Sequence, residues 1–590
     1  MTGPGGPAGR PQDLDATVVI PAAVEADADA TAVMPAVVAG ATPTLPPAAP
    51  AERAEGGLAR NSAVMALGSV VSRVTGFART AAIGAAIGVV AIGNDYTIAT
   101  MLPGMVYELL LGGVLASVVV PLLVRARDND PDRGQVYAQR LLSLAVIALA
   151  VATVVAVACA PLFTALFDND KTLDNDRHLI TTLSYLLLPM IFFYGLAALF
   201  AAILNTRGHF AAPTFAPILN NLVVIAMTLG FLFMPVTDPD DASSLSTGQV
   251  ALLGIGTTLG IVIQAAGLWP ALRRVGFRWR WRWDFRALRL GELARVGLWM
   301  LVYVAVSQVA VVVVTNIAQR AADAEQSASG PAVYNNAFLI FMMAHGIVAV
   351  SIITALMPRM SAVAAQHRYP EMVDHISTGT RMVAVVLIPT TVAYAILGRP
   401  LAVTLFQFGN YGEQQAIATG WVIAVAGLGL VPFAISQLQL FAFYAMPDTR
   451  TPALINVPVV AVRVGVDILL FLVLPAAFVA GGLMAGNAIS FAVAAVIGYV
   501  LLRRRIGRLG LTSVFATLGR LSAAALIAAV PTLLVVVGMT AAWGTGKGAS
   551  IAQLLAGGIV LFGTYVAAAA LLRVREVRDL TSMVRARVRH

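Results

Sequence analysis

The chain has 590 residues, of which 59% are hydrophobic and 12% charged, and its mean hydropathy is +0.83. That composition excludes a soluble globular protein and describes a chain that crosses the bilayer many times. The net charge is +9, and every one of the 39 basic residues except Lys171 and Lys547 is arginine, a bias that goes with a GC-rich genome rather than with a ligand.

Residues 1–57 are rich in Pro, Ala and Asp and hold no apolar run that would serve as a signal peptide, so they read as a disordered tail. The tail contains a short duplication, Asp15-Ala-Thr17-Val-Val-Ile20-Pro21 and Asp29-Ala-Thr31-Ala-Val-Met34-Pro35. Its acidic residue before Thr, large apolar residue and Pro resemble sites of bacterial membrane Ser/Thr kinases. Thr17 and Thr31 are therefore candidate phosphorylation sites, with a kinase and a phosphothreonine-binding protein as the implied partners, unless the duplication is chance in an Ala/Val/Pro tail.

At about 20 apolar residues per crossing, fourteen spans follow, near 62–90, 96–124, 136–167, 179–204, 214–235, 248–272, 294–319, 332–362, 378–406, 415–445, 452–475, 481–502, 516–540 and 549–572. The links after spans 2, 6 and 12 carry clustered arginines (Arg125 to Arg140, Arg273 to Arg295, Arg503 to Arg508), and the C-terminus adds Arg573 to Arg589. The alternate links are acidic or neutral, as at Asp168-Asn-Asp170 and Asp238-Pro-Asp240-Asp241. The positive-inside rule then places both termini in the cytoplasm.

The two halves repeat weakly with an offset of about 235 residues. Ser72-Arg73-Val74 matches Ser307-Gln308-Val309, Gly113 to Pro121 resembles Gly346 to Pro358, and Pro217 to Asn220 matches Pro452 to Asn456. An offset of six spans preserves orientation, giving parallel repeats about an axis along the membrane normal. The expected fold is an all-α polytopic membrane protein with two six-helix lobes, 58–290 and 291–510, two additional helices at 511–575 and a basic tail at 576–590. Lobes of this kind rock about a midplane site, which favours a transporter.

Span 1 holds Arg73 and Arg79 within an apolar helix, with Gly76 between them. An intramembrane arginine costs roughly 3 kcal/mol on insertion scales, so it faces a partner or a wet cavity. At 100° per residue the two lie about 120° apart unless the helix bends at Gly76. They are candidate ligands for an anion, or members of a structural ion pair with Asp95 or Glu108, the acidic residues flanking the start of span 2. Span 11 carries Arg463 and Asp467 on one helical face, either a self-contained salt bridge or a coupling site at which Asp467 takes a cation or proton.

Other signals give less. Cys159 is the lone cysteine, and His178, His209, His345, His367, His375 and His590 have no ligand spacing, so no metal centre and no cofactor is expected. Arg278-Trp-Arg-Trp-Arg-Trp283 fits the membrane interface and anionic headgroups rather than nucleic acid. Asp128 to Asp132 suits a solvated loop better than a Mg²⁺ site. Gly254-Ile-Gly256-Thr-Thr-Leu-Gly260 reads as helix packing, and Gly544 to Gly548 lacks phosphate-loop spacing.

Several stretches resemble the MurJ/MviN lipid II flippases of the MOP exporter superfamily, in an actinobacterial-type branch. They are Ser72-Arg-Val-Thr-Gly-Phe-Ala-Arg79, Ala202-Ile-Leu-Asn-Thr206 with Phe215-Ala-Pro-Ile-Leu-Asn220, Pro400 to Gly409, and Leu102 to Val114. The resemblance covers about 60–575. It implies a V-shaped pair of lobes around a cationic cavity that carries the undecaprenyl-diphosphate-linked peptidoglycan precursor between leaflets of the bacterial cytoplasmic membrane. It implies further that Arg73 and Arg79 hold the diphosphate, that Asp95 matches an acidic residue important in the family, and that spans 13 and 14 receive the prenyl tail. Glu108, from its place inside the apolar region and not from the resemblance, is a further candidate for the substrate site, neutralising an arginine or gating the cavity. The chain departs from many members where further arginines fall at Tyr107 or Glu108 and near Leu339, so its cavity is less cationic. Arg463 stands where some members hold sodium, which implies a tethered cation in its place. No pseudokinase domain of the kind some relatives of this branch carry is expected after span 14. The activity expected is transport without covalent chemistry. Its rivals are export of another polyprenyl-linked glycan or a drug, a polyprenyl-phosphate transferase, and a cell-wall scaffold acting through the tail.

Overall fold

The computed structural model describes residues 51–109, 119–167, 174–234, 238, 241–285, 288, 290–325, 330–507, 510–574 and 576–577. Thr17 and Thr31 lie outside the described residues. Among those described the chain is helical throughout, without strands. In order the helices are α1 (Ala51–Ile87), α2 (Ala91–Tyr107), α3 (Val120–Asn129), α4 (Gln135–Ala158), α5 (Ala160–Ala165), α6 (Asp174–Leu187), α7 (Met190–Thr206), α8 (Ala211–Leu232) and α9 (Thr247–Arg274). They continue with α10 (Leu290–Glu325), α11 (Pro331–Ala365), α12 (Tyr369–Phe406), α13 (Glu413–Ala426), α14 (Leu430–Ala445), α15 (Arg450–Val473), α16 (Val479–Ile506), α17 (Leu511–Trp543) and α18 (Lys547–Leu571).

Twelve stretches among the described residues are long and apolar enough to cross a membrane, from Gln135–Ala158 to Lys547–Leu571. They coincide with the third to fourteenth spans expected from sequence. The first expected span falls within α1, 37 residues long and interrupted by charge. The second begins at α2 and reaches α3, with 110–118 outside the described residues. Two boundaries differ for local reasons. α1 stops before Gly88, whose φ of +73° ends the right-handed helix. The third span ends at Ala158, because Pro161 sits in the first turn of a new short helix, α5.

Helix ends are marked by their chemistry. Ser246 and Gln249 form a capping box at the start of α9, and Arg273 and Arg274 complete its last turn, where cations suit the helix dipole. α16 likewise ends on Arg503, Arg504 and Arg505. Arginines concentrate at one end of the bundle; the other carries Asp174, Asp176, Asp241, Asp323 and Glu413 with fewer arginines. At the arginine-rich end Asp448 accepts the Thr451 N–H at 2.9 Å, its hydroxyl at 2.7 Å, and the Arg505 guanidinium. Burial would push the Asp448 carboxyl up, but these donors outweigh it and hold it below the usual carboxylate range.

Two sets of helices repeat one packing scheme. α1 packs on α8, and α8 on α9; in the second set α10 packs on α15, and α15 on α16. The same side-chain contact occurs in each. Asn221 of α8 donates to Ser72 O at 3.3 Å and Thr75 Oγ1 at 3.1 Å on α1. Asn456 of α15 donates to Tyr303 O at 2.9 Å and Ser307 Oγ at 2.8 Å on α10. Asn221 is thus the counterpart of Asn456, one residue beyond the Asn220 suggested by sequence. α17 and α18 pack on each other and on α12, where Ala524, Ala525 and Ala528 bring the backbones close and Tyr565 donates to Val385 O at 2.7 Å.

Candidate functional site

α1 runs along the junction of the two sets and contacts α2, α8, α11 and α12. Its two arginines address different neighbours. The Arg73 guanidinium lies against Gly346 of α11, so close that a Cβ there would stand 2.5 Å from Nη1 and 3.0 Å from Cζ. His345, beside Gly346, is buried against Phe433 with ring centroids 4.4 Å apart, and its Nδ1 makes no hydrogen bond to the described residues. Glycine at 346 is what lets a side chain of the first set seat on the backbone of the second.

Arg79 is only 6% exposed and donates to Asn221 Oδ1 at 3.3 Å. Asn221 therefore does two things: its amide N–H groups tie α8 to α1, and its carbonyl orients a guanidinium. The field of Arg79 also reaches Tyr96 of α2, whose hydroxyl is 2.6 Å from Thr257 Oγ1. The helical angle between positions 73 and 79 is expressed as two destinations, α11 for one and α8 for the other.

Asp95 of α2 is 0% exposed, and neither carboxylate oxygen has a hydrogen-bond partner among the described residues. The charges nearest to it in effect are the carboxylates Asp176 of α6 and Asp323 of α10. Glu108, which caps α2, is also buried, with Oε2 unbonded. No ion pair joins either acid to Arg73 or Arg79 among the described residues. Gln308, the counterpart of Arg73 in the second set, is buried with both amide atoms unbonded. Asp95, Glu108 and Gln308 are thus buried polar groups of a kind that a bilayer makes costly to leave alone.

On α15, Arg463 Nε is 3.7 Å from Asp467 Oδ2, and Asp467 is fully buried. Arg463 Nη2 and Asn487 Nδ2 both donate to the Tyr334 hydroxyl, at 3.1 and 2.7 Å. Gly486 leaves the space occupied by Asp467 Oδ1. The cluster borders a cavity of about 90 Å³ reached also by Met101, Ser307 and Asn335. That volume suits a few waters rather than a glycolipid. Sequence reasoning singled out Arg463 and Asp467 but not Tyr334 and Asn487, whose polarity is unexceptional until the fold brings them to the ion pair.

Away from the arginine-rich end, the two sets are clasped. The backbone N–H of Asn410 donates to Ala85 O at 2.8 Å, and its side chain to Ala86 O at 2.6 Å. The turn after α12 thereby satisfies carbonyls that the end of α1 leaves open. Gly409, at φ +56°, makes the approach: a Cβ there would strike Ala85 O. Asn94 Oδ1 accepts from Ala332 N at 3.0 Å, Asn316 donates to Leu166 O at 2.9 Å, and Phe77 meets Phe406 at 5.6 Å.

Residues 83–553 match the family model described as lipid II flippase MurJ. A relative from Haemophilus influenzae, described as a probable lipid II flippase MurJ, is 25% identical over 459 residues, 75% of this chain and 84% of the relative. The lipid II flippase MurJ of Burkholderia cenocepacia is 27% identical over 410 residues, 67% of this chain and 74% of the relative. Among solved structures, a lipid II flippase MurJ in an inward closed conformation aligns with a TM-score of 0.67 at 17% identity, covering 88% of this chain and 99% of that one. An inward-facing multidrug resistance MATE transporter of the MOP superfamily aligns at 0.57 and 16% identity, over 74% and 95% of the two chains.

Proposed function

The chain belongs to the MurJ lipid II flippase family, and from that premise we propose that it carries lipid II from the inner to the outer leaflet of the bacterial cytoplasmic membrane by alternating access, without covalent chemistry. The observation that carries the mechanism is the seat of Arg73 on α11 at Gly346, because a charge shared between two helix sets changes its surroundings when they separate. A guanidinium is planar and suited to bidentate contact with a phosphate. In this proposal Arg73 takes the diphosphate when the sets part, and Arg79, steadied by Asn221, adds positive potential beneath it.

The remaining assignments are proposals of the same kind. Residues 58–290 and 291–510 act as the two rocking lobes, 511–575 supply the surface for the prenyl chain, and both termini lie in the cytoplasm, as the arginine distribution favours. Asp95 and Glu108 of α2 set the electrostatics of the path. Arg463 and Asp467 form the coupling pair, with Tyr334 and Asn487 holding the guanidinium in place. Thr17 and Thr31 take phosphate from a membrane kinase and recruit a phosphothreonine-binding partner, and that function is separable from transport.

The test is leaflet-resolved labelling of lipid II in cells whose only copy carries Arg73→Ala. Lipid II should accumulate in the inner leaflet; wild-type translocation would refute the assignment. Unchanged lipid II together with lost drug efflux would instead favour a drug as cargo on the same fold. Deleting residues 1–57 should leave translocation intact, whereas a scaffold would fail.

A further inference from the structure

The link after α9 carries a feature on which the proposed transport cycle does not draw. Residues 277–285 form neither helix nor strand, and within them Trp279, Trp281 and Trp283 alternate with Arg278, Arg280 and Arg282. The rings form a continuous ladder: Trp269 of α9 meets Trp279 at 6.4 Å, Trp279 meets Trp281 at 5.1 Å, and Trp281 stacks on Trp283 at 6.0 Å with planes 19° apart. Phe285 closes the ladder at 6.3 Å, and Arg273 stands 5.4 Å from the Trp269 ring. Trp281 and Trp283 remain 52% and 72% exposed.

The segment is bolted to the first turns of α4. The Arg282 N–H donates to Ser143 Oγ at 3.2 Å and its Nε to Gln139 Oε1 at 2.8 Å, while Gln139 Nε2 donates to Arg278 O at 2.6 Å. Arg140 pairs with Asp284 at 2.9 Å. Two guanidiniums are left over: Arg278 and Arg280 are exposed and make no hydrogen bond or ion pair with the described residues. Exposed indoles and solvated cations, carried on one pinned stretch of backbone where α4 begins and α9 ends, match the layered chemistry of a lipid headgroup region. A nucleic acid would satisfy the cations but would have to approach within the bilayer surface to reach the rings.

We propose that residues 277–285 form a fixed binding site for anionic glycerophospholipid headgroups, with Arg278 and Arg280 on the phosphodiester and Trp281 and Trp283 against the glycerol and upper acyl region. Pinning by Gln139, Ser143 and Arg140 distinguishes this site from a mobile basic loop, since the backbone that bears the rings and charges is held to α4.

The test uses the full-length protein in phosphatidylcholine vesicles containing either brominated phosphatidylglycerol or brominated phosphatidylcholine at equal mole fraction. Tryptophan fluorescence should be quenched more by the anionic lipid, and Trp281→Phe with Trp283→Phe should remove the excess. Arg278→Gln and Arg280→Gln should each weaken the phosphatidylglycerol preference about fivefold, with unchanged melting in pure phosphatidylcholine. Equal quenching by the two lipids, or a preference that survives both glutamine substitutions, would overturn the proposal.

Discussion

Gly346→Ala tests whether the position of Arg73, rather than its mere presence, matters. The added Cβ would lie 2.5 Å from Arg73 Nη1, whereas ordinary contact begins near 3.4 Å, so the guanidinium must withdraw by about 1 Å. The fold should tolerate this, because the displaced group ends a flexible side chain and alanine gains up to about 1 kcal/mol over glycine inside a helix. Melting should stay constant or rise. Transport should suffer: a charge-assisted hydrogen bond is worth about 1.5–3 kcal/mol, and forfeiting half of it slows flipping on the order of tenfold. Leaflet-resolved lipid II labelling supplies the rate, and a double-mutant cycle with Arg73→Ala supplies the logic. Gly346→Ala should cost nothing further once Arg73 is gone. Additive losses, or wild-type flipping in Gly346→Ala, would refute the reasoning.

Three further outcomes are expected. Asn456→Ala removes two hydrogen bonds to α10 and Asn221→Ala three to α1, the Arg79 guanidinium included, so at about 0.6 kcal/mol per intramembrane hydrogen bond they should lower stability by roughly 1 and 2 kcal/mol in a detergent melt. Asn221→Ala should additionally reduce flipping, since it releases Arg79. Asn410→Ala should broaden the distance distribution between spin labels at His178→Cys and Glu413→Cys, with Cys159 replaced by Ser; an unchanged narrow peak would count against the clasp. Because the Asp448 carboxyl is held below its ordinary range, its contribution to stability is present above that range and lost as pH falls through its folded-state value. Asp448→Asn should therefore flatten the acid limb of the melting curve, and parallel curves would dismiss the Arg505 tie.

Long apolar runs made twelve crossings legible because hydropathy over 20 residues outweighs local detail. Their ends were not legible where one residue's backbone decided, as at Gly88 and around Pro161. The repeat was visible, yet its register slipped at Asn220, since two adjacent asparagines follow Pro217 and only the fold shows which one faces α1. Arg73 and Arg79 stood out as charges in an apolar helix. Their partners did not, because helical spacing fixes the angle between two side chains but not the neighbours they meet. Gly346 gave no sequence signal of its own: a glycine in a transmembrane helix is ordinary until an arginine is found lying on it.

The clasp between Asn410 and the end of α1 is built from neutral amides and main-chain carbonyls. Parting those groups carries no formal charge through the electric field, so a membrane voltage, which performs about 2.3 kcal/mol of work per charge per 100 mV, finds no handle there, and added salt does not screen it. On the proposed cycle, any electrical sensitivity rests with the ionisable side chains elsewhere, Arg73 and Arg79 on the same helix and the Arg463–Asp467 pair on α15 among them. One rod thus carries two kinds of contact: its last carbonyls meet Asn410 through neutral hydrogen bonds, and its middle bears the two guanidiniums.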